Sequence, residues 1–189
     1  MTQPRRSERA RTAILDAATD LVGAVPYAKL SVEAIAARAG VGKQTIYRWW
    51  PSKGAVVFDA LLARDAGPDG LAIPDTGDLR ADLTNLVRAT VAELVDASFD
   101  GFLRAVYIEI QQDAALAETY RERLLLPQRA AIAERLASAV AAGDMRSDVP
   151  IEVALDLLLG PIQCRWALGL GGLDDDYADA VVELVLRAL

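Results

Sequence analysis

The 189-residue sequence is long enough to bury a hydrophobic core, and 53% of its residues are hydrophobic. It contains one cysteine, Cys164, and no histidine, which excludes an intramolecular disulfide, a zinc site built on paired cysteines and catalytic pairs that need an imidazole. The most apolar region, residues 153–173, contains Asp156 and Arg165, and no apolar run follows the basic N-terminus, so we expect a cytoplasmic protein without a membrane-spanning helix or a membrane partner.

The charges are divided unevenly along the chain. The formal net charge is −7, but residues 1–53 carry nine Lys or Arg and four Asp or Glu, a local charge of +5. Residues 54–189 carry 11 basic and 23 acidic residues, a local charge of −12. Because attraction to phosphate is local and salt screens it within about 8 Å, a basic N-terminal part on an acidic body is typical of a DNA-binding module joined to a regulatory domain.

Helical periodicity dominates the first part of the chain. An apolar stripe over residues 10–22 predicts a first helix, which ends where Gly23 and Pro26 interrupt the pattern. Ser31 is a suitable N-cap for a short second helix, and Gly40 stands where a left-handed C-cap residue would end it. Two helices are therefore expected before residue 40.

A third and a fourth helix follow closely. The third is predicted from about residue 42 or 43 to Trp49, and Pro51 prevents its continuation. Ser52 is available to cap the fourth. Residues 67–78 contain three Gly, two Pro and three Asp, which predicts a loop between two functional regions.

The remaining chain is predicted to be helical as well. An apolar stripe covers residues 79–95, and a shorter helix is expected from Phe102 to about Gln112, after a break at Asp100 and Gly101. A long stretch over residues 114–142 must bend or restart at Pro127. Two further helices are predicted over residues 151–168, with a kink at Pro161, and 175–189. The fold class is therefore all-α, with about nine helices.

The segment from Ser31 to Lys53 has the pattern of a helix-turn-helix, because two short helices are joined by a turn with glycine and the second begins with polar and basic residues. Val41, Ile46 and Trp50 can pack inward on the first two helices. Arg and Lys can donate to guanine edges and Gln can pair with adenine, so the remaining side chains of the third helix suit a DNA groove. We expect double-stranded DNA as a partner.

These residues also resemble a known family. The segment from Leu30 to Lys53 reads LSVEAIAARAGVGKQTIYRWWPSK and is similar almost position by position to the signature of the TetR-like transcriptional regulators; the likeness is specific over about the first 60 residues. The resemblance implies that bases are contacted by Lys43, Gln44 and Arg48. It implies phosphate contacts from Ser31, Thr45, Tyr47, Trp49 and Lys53. The sequence departs from the common pattern at Gly54, where an acidic residue is frequent, and at Trp49, where histidine is frequent.

Each of these assignments has a simpler structural alternative. Lys43, Gln44 and Arg48 could form an ordinary solvated face, although the turn, the cap and the charge asymmetry favour the DNA interpretation. Tyr47 and Trp50 could be core aromatics, which is the preferred interpretation for Trp50, four residues after Ile46. The N-terminal arginines could form a disordered arm that contacts DNA or a tail that increases solubility, and the sequence favours the two equally. These arginines are Arg5, Arg6, Arg9 and Arg11.

Two other motifs are rejected. A phosphate-binding loop around Gly40 and Lys43 would need glycine at position 37 and Ser or Thr at position 44, where the chain has Ala37 and Gln44. The acidic run 174–176 is better explained by capping and the helix dipole than by a divalent metal. No catalytic residue, metal or cofactor is therefore expected.

The sequence predicts a DNA-binding domain over residues 1–53, a connecting helix over 54–66 and a regulatory domain over 67–189. The resemblance implies that the last two helices pair with those of a second copy in a homodimer. The apolar residues proposed for that interface are Leu155, Leu158, Leu159, Val181, Val182, Leu184 and Val185.

The fifth to eighth helices are expected to enclose a site for an unknown small lipophilic effector. The residues proposed to line it are Phe99, Phe102, Tyr107, Gln111, Gln163 and Trp166.

Ordinary core packing is the alternative for any single pocket residue, and it is the more common outcome. A palindromic operator released by a ligand is thus one hypothesis for a repressor, and a DNA-binding adaptor controlled by a protein partner is the other. An enzyme would have to use Glu109, Asp113 and Tyr107 without a histidine or a metal, and it has no positive support in the sequence.

Overall fold

The structure, a computed structural model, describes residues 3–65 and 73–189, and within these two ranges it contains helices and no β-strand. The all-α prediction is confirmed. The N-terminal helices are α1 (Gln3–Ala24), a 3-10 turn (Tyr27–Lys29), α2 (Val32–Ala39), α3 (Lys43–Tyr47) and α4 (Lys53–Asp65). The later helices are α5 (Leu79–Val95), α6 (Ala97–Ile110), α7 (Ala114–Tyr120), a π-helical turn (Arg121–Leu125), α8 (Leu126–Ala142), α9 (Ile151–Ala167) and α10 (Asp175–Ala188).

The helices form two compact units. The first contains α1 to α4 together with α6 and α7, and the second contains α5 and α8 to α10. The predicted bounds of the DNA-binding domain, the connecting helix and the regulatory domain stay a prediction. None of the described helices combines the length and the apolar character that a bilayer crossing requires.

The core of the first unit is built from large apolar side chains of several helices. Ile14, Ile35, Ile46 and Phe102 are fully buried, and Phe58 is almost so. Because these residues come from α1, α2, α3, α6 and α4, the helix-turn-helix shares one core with α6. Burial of each such side chain stabilises the fold by about 1.5–3 kcal/mol.

The second unit encloses a buried ion pair beside its apolar core. The Nε of Arg135 on α8 donates to Oδ2 of Asp82 on α5 over 2.7 Å, and both side chains are at least 98% buried. The backbone N–H and the hydroxyl of Thr76 donate to the same carboxylate over 3.1 and 2.6 Å. The segment before α5 is therefore held against α5 and α8.

The predicted break before the sixth helix is wrong. The helix was expected to start at Phe102, after Asp100 and Gly101, but α6 begins at Ala97 and runs through both residues. Gly101 lies in the first unit beside Val22, where a Cβ would be 3.5 Å from the Val22 carbonyl oxygen. The packing of Phe102 and its neighbours outweighs the low helix propensity of glycine, which costs about 1 kcal/mol relative to alanine.

The described ranges contain ten α-helices, whereas the sequence predicts about nine, and the difference arises because residues 114–142 form two helices, α7 and α8. The chain leaves α-helical geometry at Arg121–Leu125, and α8 starts with Pro127 in its first turn. This is the restart that proline favours, because its missing N–H has no acceptor at that position. Of the loop predicted over 67–78, residues 67–72 lie outside the described residues, and residues 73–78 contain no helix.

Candidate nucleic-acid interface

Local chemistry explains the turn between α2 and α3. The Ser31 hydroxyl accepts the Ala34 N–H over 3.1 Å and caps α2, as expected from its residue type. Gly40 ends α2 in the left-handed conformation, with φ at 67°, a region that favours glycine. Extended Gly42 then starts α3. Three residues thus separate the two helices, and α3 leaves the turn with Lys43 and Gln44 in its first turn.

The α3 region has one buried side and one exposed side. Ile46 is 0% exposed and Trp50 is 4% exposed, so Trp50 is the core aromatic that its spacing predicts. Lys43, Gln44 and Arg48 are all exposed. The structure therefore brings the three predicted base-contacting residues together on one accessible surface, which we call the α3 surface.

The contacts made by the α3 surface are weak. The Lys43 ammonium lies 3.6 Å from the Glu33 carboxylate, and both side chains are more than half exposed. The Arg48 guanidinium lies 5.4 Å from the centre of the Trp49 ring. Exposed pairs of this kind contribute about 0–1 kcal/mol, so they leave both cations able to bind another group.

Asp59, which sequence reasoning did not identify, holds the end of the α3 region through hydrogen bonds. The indole N–H of Trp50 donates to Oδ2 of Asp59 on α4 over 2.9 Å. The same carboxylate accepts from Arg11 on α1 over 3.4 Å and from Arg123 over 2.8 Å. An acidic residue within an otherwise apolar stretch of α4 was the available signal.

The predicted phosphate residues are not equally exposed. Tyr47 is 50% exposed, whereas Ser31, Thr45, Trp49 and Lys53 are partly buried. Ser31 uses an acceptor lone pair for its cap and keeps its hydroxyl hydrogen as a donor. The Lys53 ammonium lies 3.4 Å from the carbonyl oxygens of Tyr27 and Leu30 and 4.1 Å from the centre of the Tyr27 ring. Its position is therefore fixed by the 3-10 turn and the residue that follows it.

Arg9 and Arg11 lie on α1, whose backbone is helical from Gln3, rather than on a disordered arm. The Arg11 guanidinium donates to Asp59 and lies 5.9 Å from the centre of the Trp50 ring, so Arg11 contacts the buried side of the α3 region. The side chains of Arg5 and Arg6 lie outside those that the structure describes.

The three residues of the enzyme hypothesis make structural contacts. Glu109 accepts the Tyr27 hydroxyl over 2.5 Å. Asp113 caps α7 by accepting the N–H groups of Ala115 and Leu116. Tyr107 packs edge to face against Tyr120, with the ring centres 6.1 Å apart. Each side chain thus has a role in holding helices of the first unit.

The residues proposed for the effector site fall into two groups. Phe99, Phe102 and Tyr107 lie on α6 and Gln111 just after it, in the first unit. Gln163 and Trp166 lie on α9 in the second unit. Phe102 and Trp166 are buried, whereas Gln111 and Gln163 are exposed. An open groove of about 520 Å³ in the second unit has a different lining, formed by Val91, Ala92, Val95, Leu173, Asp174, Asp175 and Asp176.

Most of the residues proposed for the dimer interface are covered by the protomer itself. Five of the seven are buried in the second unit: Leu155, Leu158, Val181, Val182 and Val185. Leu159 is partly buried and Leu184 is 65% exposed. Two apolar residues that sequence reasoning missed, Val153 and Leu157, are exposed on α9. They lie one helical turn apart and on the face opposite Leu155, which only the packing of α9 could distinguish.

Comparisons with known proteins cover both parts of the chain. Residues 14–60 match the family of bacterial regulatory proteins described as the tetR family, and residues 73–185 match the tetracyclin repressor-like C-terminal domain. The chain is 35% identical to the uncharacterized HTH-type transcriptional regulator YdeS of Bacillus subtilis (strain 168), over 97% of this chain and 89% of that protein.

Solved structures show the same similarity. The TetR family transcription regulator SCO0332 is 36% identical, with a TM-score of 0.75 over 95% of this chain and 98% of its own. The Flavonoid-responsive Regulator FrrA is 25% identical, with a TM-score of 0.66 over 95% of this chain and 94% of its own. The similarity thus extends over the helix-turn-helix and the C-terminal helices alike.

Proposed function

The chain belongs to the TetR family of transcriptional regulators, and from this premise we propose that it is a dimeric repressor that leaves a palindromic operator when it binds a small lipophilic ligand. Its relatives are regulators, so it is a DNA-binding regulator and not an enzyme. The observation that carries the proposal is the α3 surface, whose polar side chains are exposed while Ile46 and Trp50 fix the other side.

We assign base contacts to Lys43, Gln44 and Arg48 because their donors and acceptors match base edges in the major groove. Phosphate contacts would set the orientation of α3 without reading sequence, and we assign them to Ser31, Thr45, Tyr47, Trp49 and Lys53. The local charge of +5 over residues 1–53 supports this assignment, since phosphate attraction supplies much of the affinity for DNA.

The experiment is replacement of Lys43, Gln44 and Arg48 together by alanine. We expect the triple variant to lose operator-specific binding, measured by fluorescence anisotropy with a duplex selected by the wild-type protein, while its circular dichroism spectrum is unchanged. A matched triple alanine variant at exposed Gln112, Arg121 and Arg187 should bind as the wild type does. Specific binding by the first variant would contradict the assignment of α3.

For the dimer, the exposed apolar side chains of the last two helices support a self-complementary interface. Val153, Leu157 and Leu184 are exposed by 48%, 46% and 65%, which leaves apolar area that a second copy can cover. A dimer would present two α3 helices to half-sites a helical turn of DNA apart, about 34–36 Å, or a multiple of it.

Leu157→Glu with Leu184→Glu should convert the dimer to a monomer in sedimentation velocity experiments, because two charges per protomer would be desolvated at the interface. Val95→Glu is the matched control, since Val95 is 57% exposed at the end of α5 and lies outside the two C-terminal helices. A double variant that sediments as a dimer would contradict this interface.

For the effector, the similar protein FrrA is named as flavonoid-responsive, which supports a small lipophilic ligand for this chain. A ligand that prefers a conformer with displaced α3 helices would weaken operator binding by its differential affinity for the two conformers. Thermal shift assays with flavonoids and fatty acyl compounds should find a stabilising ligand that also releases DNA. A protein partner that releases DNA where no compound does would support the adaptor hypothesis instead.

A cytoplasmic location, where the chain would meet its operator, stays part of the proposal.

A further inference from the structure

Three elements of the first unit meet at Tyr27, in the 3-10 turn before α2. On one side, the Tyr27 hydroxyl donates to Oε1 of Glu109 on α6 over 2.5 Å. On the other, the Lys53 ammonium lies 4.1 Å from the centre of the Tyr27 ring and 3.4 Å from the Tyr27 carbonyl oxygen. Tyr27 therefore connects a carboxylate on α6 to a cation at the start of α4.

The absence of a side chain at position 54 makes this arrangement possible. A Cβ at Gly54 would lie 2.7 Å from Oε2 of Glu109 and 2.8 Å from its Cγ, which is closer than real Cβ contacts. Glu109 thus occupies the space that a side chain at position 54 would need. Gly54 lies directly after Lys53, so α6 approaches α4 at the residue next to the cation.

The chemistry of the three groups favours a fixed geometry. Burial, with help from the Glu109 carboxylate, raises the pKa of Tyr27 above its ordinary value, so the hydroxyl stays a donor to Glu109. With its hydroxyl held, the ring cannot turn away from Lys53, and a cation over a tyrosine ring is attracted by about 0.5–2 kcal/mol. The Lys53 side chain then loses less conformational entropy when it meets a phosphate.

We propose that Glu109 is a positioning residue for operator binding: through Tyr27 it holds the Lys53 ammonium where a DNA phosphate is bound. The proposal rests on the proposed function, because it needs Lys53 to contact DNA. It assigns a role in DNA affinity to a residue of α6, outside the segment 14–60 that matches the DNA-binding part of the family.

The test compares Glu109→Ala with Glu118→Ala by anisotropy with the selected duplex at several salt concentrations. Both changes remove one negative charge from the first unit, and Glu118 on α7 pairs with Arg121 away from Tyr27. Charge alone predicts equal or tighter binding for both variants. Positioning predicts that Glu109→Ala weakens binding by about threefold to tenfold, the range of one lost hydrogen bond, whereas Glu118→Ala does not.

The salt dependence separates positioning from a general loss of stability. Each lost phosphate contact lowers the slope of log K against log salt concentration by about 0.9, or about 1.8 for the two protomers of a dimer. Glu109→Ala should shift the slope toward that of Lys53→Met, and Glu109→Gln, which keeps an acceptor for the Tyr27 hydroxyl, should restore much of the wild-type slope. Adding Glu109→Ala to Lys53→Met should have little further effect.

Tyr27→Phe keeps the ring and loses only the hydroxyl, so it should reproduce the slope of Glu109→Ala even if the alanine variant is unstable. A wild-type slope for Tyr27→Phe, or equal behaviour of Glu109→Ala and Glu118→Ala, would overturn the positioning role. The triple alanine variant of the α3 surface distinguishes a failure of the proposed function from a failure of the positioning role, because it tests DNA recognition without changing Tyr27, Lys53 or Glu109.

Discussion

At the scale of single residues, Asp59 determines how firmly the α3 region is held. Its carboxylate accepts from Trp50, Arg11 and Arg123, which come from three separate segments of the first unit. Trp50 is 4% exposed, and its indole N–H donates to the Asp59 carboxylate over 2.9 Å.

Asp59→Ala should therefore destabilise the protein by about 1–3 kcal/mol, the cost of a buried donor left without an acceptor. Urea unfolding followed by tryptophan fluorescence measures the change. Asp20→Ala is the control, because Asp20 pairs with Arg38 in an exposed bridge that should contribute less than about 1 kcal/mol. Equal effects of the two changes would show that Asp59 is not an anchor.

The buried pair of Asp82 and Arg135 makes the stability of the second unit depend on pH. Burial alone would raise the pKa of Asp82, but hydrogen bonds from Thr76 and Arg135 lower it below its ordinary value. A lowered pKa in the folded state stabilises the protein at pH above the unfolded value of about 3.9, and this contribution is lost as the pH falls through the folded pKa.

Asp82→Asn should cost up to about 3–5 kcal/mol at pH 7, because it leaves the buried Arg135 with the more exposed Asp75 carboxylate, 3.4 Å away, in place of the buried Asp82 carboxylate. In urea unfolding at pH 7, 5 and 3, the difference between wild type and variant should shrink at the lowest pH. Asp179→Asn, which breaks an exposed bridge to Arg88, should have a small effect throughout. A difference for Asp82→Asn that stayed constant down to pH 3 would contradict the linkage.

At the scale of helices, two glycines in the first unit are predicted to respond differently to alanine. Gly101→Ala on α6 should stabilise the protein by about 0.5–1 kcal/mol, because the new Cβ would meet Val22 at ordinary contact distance and alanine is the better helix former. Gly54→Ala on α4 gains the same propensity but collides with Glu109. Gly54→Ala should therefore stabilise the protein less than Gly101→Ala does, or destabilise it. Thermal unfolding of both variants measures the difference. Equal stabilisation would contradict the close approach of α6 to α4.

Local signals were enough to predict some helix ends and not others. Ser31 and Gly40 act within three or four residues of the backbone groups that they cap, so their residue types reveal the ends of α2. The residues of α6 around Gly101 pack instead on parts of the first unit that are distant in sequence, such as Val22. Local propensity therefore favoured a break at Gly101 that tertiary contacts remove.

At the scale of the whole molecule, the fold class and the α3 surface followed from periodicity, caps and the family signature. The supporting residues did not, because Asp59, Tyr27 and Glu109 act through contacts between segments far apart in the chain, as in the bond from Tyr27 to Glu109. The same limit applies to α9, where apolar residues lie on several faces and only burial separates core Leu155 from exposed Leu157.

The central claim is that two copies of this chain present paired α3 surfaces to adjacent major grooves. Selection of bound duplexes from a random pool by the purified full-length protein, followed by sequencing, tests it most directly. We expect enrichment of an inverted repeat whose half-sites are a helical turn or a multiple of it apart, and loss of that enrichment in the triple variant of Lys43, Gln44 and Arg48. A pool with no enriched sequence, or with an enriched site that lacks two-fold symmetry, would contradict it.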